Sequence, residues 1–223
     1  MTSDKRTGRI VGVFLVLQLA GIIVPFVLLR PLMTDDYLAN AAGYSAQIKT
    51  AVLLFWLNCA LMIAIAITAW PVFRRYSEPM AIWFIVLSVI VFVLQSVDNT
   101  HIMTMLTLSQ QYVEGGGSGE ISNALSTVVR TTRRWAHYPE LFALDAWFIL
   151  LYAIVLRFRL IPRAVAGFSL LTVALHFVGV PLSGFLGYGF NTSFGVPLVL
   201  GHLAMAGWLI GRGFADVNRD RKL

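Results

Sequence analysis

The sequence predicts an all-α integral membrane bundle of about six transmembrane helices, with residues 1–223 forming a single transmembrane domain. Three observations favour this fold class. Hydrophobic residues make up 58% of the chain and charged residues only 13%, about half the charged share of an average soluble protein. Six weakly charged stretches approach the roughly 20 helical residues that cross a hydrocarbon core. None of them alternates at every second residue, as the strands of a membrane β-barrel do.

The expected spans are apolar segments separated by polar connections. The first follows three basic residues, as a signal peptide would. Its apolar run of about 20 residues is longer than a usual signal-peptide core, so we expect a retained helix. The six spans are expected near residues 10–29, 51–70, 80–101, 140–156, 164–182 and 194–210.

The longer connections are expected to contain short surface helices. Within residues 30–50, Thr34 is a suitable helix N-cap and is followed by two acidic residues. The connection 109–139 contains the run GGGSG, which predicts a mobile segment, and then a second helical pattern. Pro139 is expected in the opening turn of the fourth span, where its missing N–H costs nothing.

The seventeen Lys and Arg residues follow the expected topology, except for the basic cluster TTRRW at 131–135, which falls on the predicted outer side. Five lie in the odd-numbered connections, and the other twelve lie at the termini and in the even-numbered connections. Because cytoplasmic segments are enriched in these residues, both termini are expected in the cytoplasm. The lipid bilayer is therefore the expected partner, and the +6 net charge does not indicate a nucleic-acid partner.

Acidic and imidazole residues fall at membrane depth on the outer side of this topology. Asp98 and His101 are three residues apart in the third span, and His137 and Glu140 share that spacing at the fourth. His176 lies twelve residues beyond the start of the fifth span, in its outer half. Since a charge facing lipid costs several kcal/mol, these side chains predict an outward-side polar pocket. Secondary candidates are Asp145 and His202, and the expected loop contacts for an anion are Arg130, Arg133 and Arg134.

One hypothesis is a metal-supported site that acts on or binds a lipid or small amphipathic molecule. Carboxylate and imidazole groups one turn apart project inward in di-metal bundles, and three histidines with one carboxylate suit a divalent metal such as zinc. Haem is the other cofactor considered, with His176 and His202 as the pair of ligands.

Two further hypotheses remain open. The same residues could form a ligand-binding cavity without metal, or a proton relay of a transport protein, because acids and histidines exchange protons near neutral pH. They could also be structural, because hydrogen bonds between helices stabilise a bundle by about 1 kcal/mol each. Motifs of soluble enzymes, such as GxSxG and HExxH, are absent. Substrate, enzymatic activity and assembly into a homo-oligomer stay open.

Four segments carry a resemblance to known proteins: TGRIVGVFLVLQLAGI, DYLANAAGYSAQIKTAVLLFWL, WPVFRR and RFRLIPRAVAGFSLL. Together they resemble a bacterial family of multi-spanning membrane proteins defined by a domain of unknown function. The resemblance covers most of the chain. It implies a protein of the bacterial cytoplasmic (inner) membrane with six or seven spans, and it implies no reaction and no catalytic residue.

Overall fold

Long apolar segments become helices because a helix satisfies every backbone amide within its own segment. The computed structural model describes residues 3–116, 120–186 and 195–215, and it confirms the predicted all-α class, with no strand among those residues. Six of the helices are long and apolar enough to cross a membrane. The helices are α1 (Ser3–Leu28), α2 (Tyr37–Asn40), α3 (Ser45–Phe73), α4 (Glu78–Glu114), α5 (Glu120–Arg157), α6 (Arg163–Gly184) and α7 (Gly195–Arg212).

The connection between α1 and α3 is built from short helical turns, as expected. A 3₁₀ turn at Arg30–Leu32 precedes α2, and a second one at Ala41–Tyr44 follows it. Thr34 caps none of these turns, because its hydroxyl donates a hydrogen bond back to the carbonyl oxygen of Pro31. Asp36 occupies the N-cap position of α2 and makes no capping hydrogen bond with its side chain.

Helices α4 and α5 are longer than the spans expected from hydropathy. They contain 37 and 38 residues, so each is about 55 Å long and exceeds a hydrocarbon core of about 30 Å. Residues 120–139, expected in a connection, belong to α5, and Pro139 lies inside that helix. Of the glycine run, residues 117–119 lie outside the described residues.

The six long helices form a ring in chain order. Helices α1, α3, α4, α5, α6 and α7 each pack against the next, and α7 returns to pack against α1. Glycines permit the closest approaches, since a Cβ at Gly12 would overlap the backbone of α7 and one at Gly201 would overlap Thr172 of α6. The outward face of α3 exposes Leu53 and Leu57 by 62% and 66%, which suits contact with lipid.

Two apolar clusters fill the bundle at different heights. The larger contains the fully buried Trp147, which stacks on Phe84 with ring centroids 4.8 Å apart. The smaller lies beneath the connection that contains α2, and includes Tyr37 and Ile102. Along α4 the fully buried members of the larger cluster end at Val91, and those of the smaller cluster begin at Ile102. The buried residues of α4 between them, Gln95, Asp98 and Asn99, are polar, and they belong to the candidate site.

Candidate functional site

A layer of buried and partly buried polar side chains separates the two apolar clusters. On α4, Gln95 donates to the Asn99 side chain at 3.1 Å, and Asn99 donates to the carbonyl oxygen of Val52 on α3 at 3.4 Å. We define the polar layer by the side chains that α3, α4 and α5 place between the clusters. Its members are Asn58, Gln95, Asp98, Asn99, Arg133, His137 and Glu140.

Asp98 is the buried centre of this layer, with only 1% of its surface exposed. Nη2 of Arg133, from α5, donates to its Oδ2 at 3.3 Å. Nδ1 of His137 lies 3.5 Å from the same oxygen. Arg133 and His137 are four residues apart, so a continuous α5 presents both on the face that packs against α4. The helix that replaces the expected connection therefore brings a guanidinium group to the membrane-level carboxylate.

Glu140 completes the group one turn further along α5. Its Oε2 lies 3.3 Å from Nδ1 of His137, and only 4% of the residue is exposed. One imidazole nitrogen thus stands between two carboxylates from two helices. We call Asp98, Arg133, His137 and Glu140 the charged cluster. A proton held at His137 Nδ1 is within reach of either carboxylate.

The charged cluster retains hydrogen-bonding capacity. Oδ1 of Asp98, Nε of Arg133 and Nδ1 of His137 are buried, and none of these atoms makes a hydrogen bond within the described part of the chain. Both amide atoms of Gln18 and the amide oxygen of Asn58 are in the same condition. Buried polar atoms normally find partners, because leaving one unpaired costs about 1–3 kcal/mol. A polar ligand or a proton-carrying water would supply those partners.

Asp145 and His176 form a separate pair, between α5 and α6. Nδ1 of His176 lies 2.8 Å from Oδ2 of Asp145, whose residue is fully buried. No hydrogen bond or ion pair among the described residues joins His176 to the charged cluster. Of the five leading candidates, the structure therefore groups Asp98, His137 and Glu140, and it pairs His176 with a secondary candidate.

His202 links three helices in the larger apolar cluster. Its Nδ1 lies 2.9 Å from the hydroxyl of Tyr152 on α5, and its Nε2 lies 2.9 Å from the carbonyl oxygen of Leu15 on α1. Both nitrogens are engaged, so neither is free to ligate haem iron with His176. The observed role of His202 is to hold α7 against α1 and α5.

The remaining candidates lie outside the charged cluster. His101 is partly exposed on α4, and no hydrogen bond or ion pair reaches it within the described part of the chain. Arg130 pairs with Asp35 of the connection at 3.2 Å. Arg134 is exposed on α5. Among the described residues, Arg133 is the one of these three arginines that reaches a membrane-level acid.

The described residues contain no set of side chains suited to bind a metal ion. No three His, Cys, Asp or Glu side chains there are placed to hold a metal ion. Although Asp98, His137 and Glu140 are close together, the guanidinium group of Arg133 lies beside Asp98, where a bound cation would be repelled.

Two features of the site could not be predicted by considering each apolar span of the sequence separately. Arg133, His137 and Glu140 follow one another at helical spacing, and this pattern would have placed the arginine in the site if 120–157 had been interpreted as one helix. The amides of Gln18 and Asn58 gave no such signal, because a lone amide in an apolar span is common. Their burial follows only from the packing of α1 against α3.

The fold and its buried polar layer define a multi-spanning helical membrane protein. The model of the family called Domain of unknown function (DUF4386) matches residues 10–213, and the chain belongs to that family. The resemblance noted in the sequence is thereby confirmed. No curated protein and no solved structure matches the chain.

Proposed function

We propose that this protein is a proton-exchanging transport protein with the charged cluster as its proton-binding site. The observation that carries the proposal is the position of His137 Nδ1, 3.5 Å from Oδ2 of Asp98 and 3.3 Å from Oε2 of Glu140. Imidazole and carboxylate groups exchange protons near neutral pH, and intramembrane acids are costly unless they are used or paired. Arg133 compensates the charge of one carboxylate, so a single proton can move between His137 and the other.

Further titratable groups continue along α5 beyond the cluster. Asp145 with His176 follows Glu140, and Tyr152 with His202 comes next. From Arg133 to Tyr152 the helix rises about 28 Å, close to the thickness of a hydrocarbon core. The amide atoms of Gln18 and the amide oxygen of Asn58, which have no hydrogen-bond partner among the described residues, add polar atoms to the interior. These groups support a route for protons through the bundle from the cluster.

Proton flux into reconstituted vesicles tests the proposal. Vesicles loaded with a pH-sensitive dye would receive a potassium diffusion potential, and internal acidification would be followed. We expect the wild-type protein to acidify the lumen several-fold faster than Asp98→Asn or Glu140→Gln. Asp35→Asn is the matched control, because Asp35 has a fully exposed side chain in the outer connection and should leave the flux unchanged.

Two results would overturn the proposal. The first is a wild-type flux no greater than that of protein-free vesicles between about pH 5 and 8. The second is a flux that survives both cluster substitutions while their thermal stability falls. That second result would assign the cluster a structural role.

Binding of a lipid or small amphipathic molecule is the second candidate function. It is favoured by an exposed apolar stripe on the outer half of α5, formed by Ile121, Leu125, Val128 and Trp135. The stripe lies on the same helix as Arg133. Retention of radiolabelled oleate by the purified protein would be lowered by Leu125→Ser with Val128→Ser. The control Val113→Ser changes an exposed apolar residue of α4, and an equal loss there would contradict the candidate.

We further propose that the protein lies in the bacterial inner membrane with both termini in the cytoplasm. The support is the concentration of twelve of the seventeen basic residues at the ends and even-numbered connections. A periplasmic reporter fused after residue 115 should be active, and a cytoplasmic reporter fused after Leu223 should be active as well. The reverse activities would contradict this orientation.

A further inference from the structure

A cavity of about 450 Å³ lies at the end of the bundle that carries the N-terminus. It forms where the start of α1, the connection between α5 and α6, and the end of α7 meet. Its lining is strongly basic, and the residues that contribute the positive charges are Lys5, Arg159, Arg163 and Arg212. No residue of the charged cluster lines this cavity. The cavity is therefore a second location, separate from the charged cluster.

The positive charges of the cavity are uncompensated within the described part of the chain. No Asp or Glu there lines the cavity, and none of the four basic side chains has a hydrogen bond or an ion pair. Asp4, the acidic neighbour of Lys5, is instead paired with Arg75 of the connection after α3. Four cations around one concave surface raise the local positive potential and attract an anion.

The cavity wall is held in place by specific backbone contacts. The N–H of Ala215 donates to the carbonyl oxygen of Leu160 at 2.8 Å, which fixes the chain after α7 to the α5–α6 connection. Gly213 has a φ of +71°, and a Cβ there would overlap the backbone of Lys5. Phe214 is fully buried between these contacts. The backbone segments that carry the basic side chains are therefore held in place by these contacts.

Arg159 occupies a backbone position that usually favours glycine. Its φ is 54°, in the left-handed region, and it follows the last turn of α5. The N–H of Leu160 donates back to the carbonyl oxygen of Val155 at 3.0 Å, as in a Schellman helix end. A non-glycine residue there costs about 1–2 kcal/mol. An arginine nevertheless occupies this costly position, and its side chain lines the cavity.

We propose that this cavity binds the phosphate-bearing headgroup of an anionic phospholipid. Arginine guanidinium groups bind phosphate through paired hydrogen bonds, and three arginines line the cavity. The cavity opens at the ends of membrane-crossing helices, and half-buried Trp208 lines it, as expected at a headgroup layer. Basic pockets between helices on the cytoplasmic side bind anionic headgroups in membrane proteins.

The experiment measures how lipid changes the thermal unfolding temperature of the purified full-length protein in neutral detergent. A ligand that binds only the folded state raises this temperature. Phosphatidylglycerol should raise it by several degrees relative to an equal amount of phosphatidylcholine. The double variant Arg159→Gly with Arg163→Gln should lose the difference. Arg159→Gly suits the left-handed backbone, so the variant should fold.

Arg74→Gln is the matched control, because Arg74 is exposed in the connection after α3 and lies outside the cavity lining. It should keep the full effect of phosphatidylglycerol. An equal effect in the wild-type protein and the double variant would overturn the proposal. Inorganic phosphate forms a separate arm: a shift as large as that of phosphatidylglycerol would show that free phosphate is the ligand, and it would also overturn the headgroup assignment.

Discussion

Nδ1 of His176 on α6 lies 2.8 Å from Oδ2 of Asp145 on α5, and Asp145 is fully buried. This contact gives α5 and α6 one strong polar interaction among apolar neighbours. A buried carboxylate that loses its partner is left uncompensated in a medium that solvates it poorly. The pair therefore fixes the relative rotation of the two helices.

His176→Ala is expected to lower the free energy of unfolding by about 3 kcal/mol, because the buried Asp145 carboxylate loses its imidazole partner. Asp145→Asn should cost less, since an amide is neutral and can still bond to the imidazole. Detergent-induced unfolding followed by circular dichroism measures both. His101→Ala is the control, because His101 has no polar contact within the described residues. Equal losses for His176→Ala and His101→Ala would contradict the assigned role of the pair.

Arg133→Leu is expected to destabilise the bundle by about 3–5 kcal/mol, because it removes the guanidinium partner of the buried Asp98 carboxylate. Adding Asp98→Leu should recover much of that loss, since both charges are then removed together. The measurement is a double-mutant cycle on the free energy of unfolding. Arg134→Leu, a change at the exposed neighbouring residue, should have little effect. Additive losses from the two cluster substitutions would show that Arg133 and Asp98 do not interact.

The six-helix class followed from the sequence because hydropathy directly measures the cost of placing each segment in lipid. Helix ends are harder to predict from hydropathy. Helix α5 extends beyond its apolar residues into a polar stretch, which water solvates well whether or not it is helical. The i,i+3 spacing of Asp98 and His101 was a poor guide to contact. It fixes two residues on one side of a helix, but the neighbour that packs there is set by helix rotation. Arg133 of α5 reaches Asp98, whereas no hydrogen bond or ion pair among the described residues joins α5 to His101.

Tyr152→Phe is expected to cost about 1 kcal/mol, because it removes the hydroxyl that bonds to Nδ1 of His202 and keeps the ring. The ring of Tyr152 also stacks on Phe148 with centroids 5.9 Å apart, and that packing should be preserved. Unfolding measurements on the variant check the value. Tyr44→Phe, at a half-exposed residue of the connection between α1 and α3, is the control and should be neutral.

Gly213→Ala is expected to destabilise the protein by roughly 2 kcal/mol or more, from the left-handed backbone and from overlap with Lys5. Gly207→Ala is the matched control, because Gly207 lies inside α7 and a Cβ added there would meet no atom within 4 Å among the described residues. Alanine favours a helix interior, so this change should be neutral or stabilise by up to about 1 kcal/mol. Thermal unfolding separates the two variants. Equal stability of Gly213→Ala and Gly207→Ala would contradict the close contact between the chain after α7 and the start of α1, which forms part of the wall of the basic cavity.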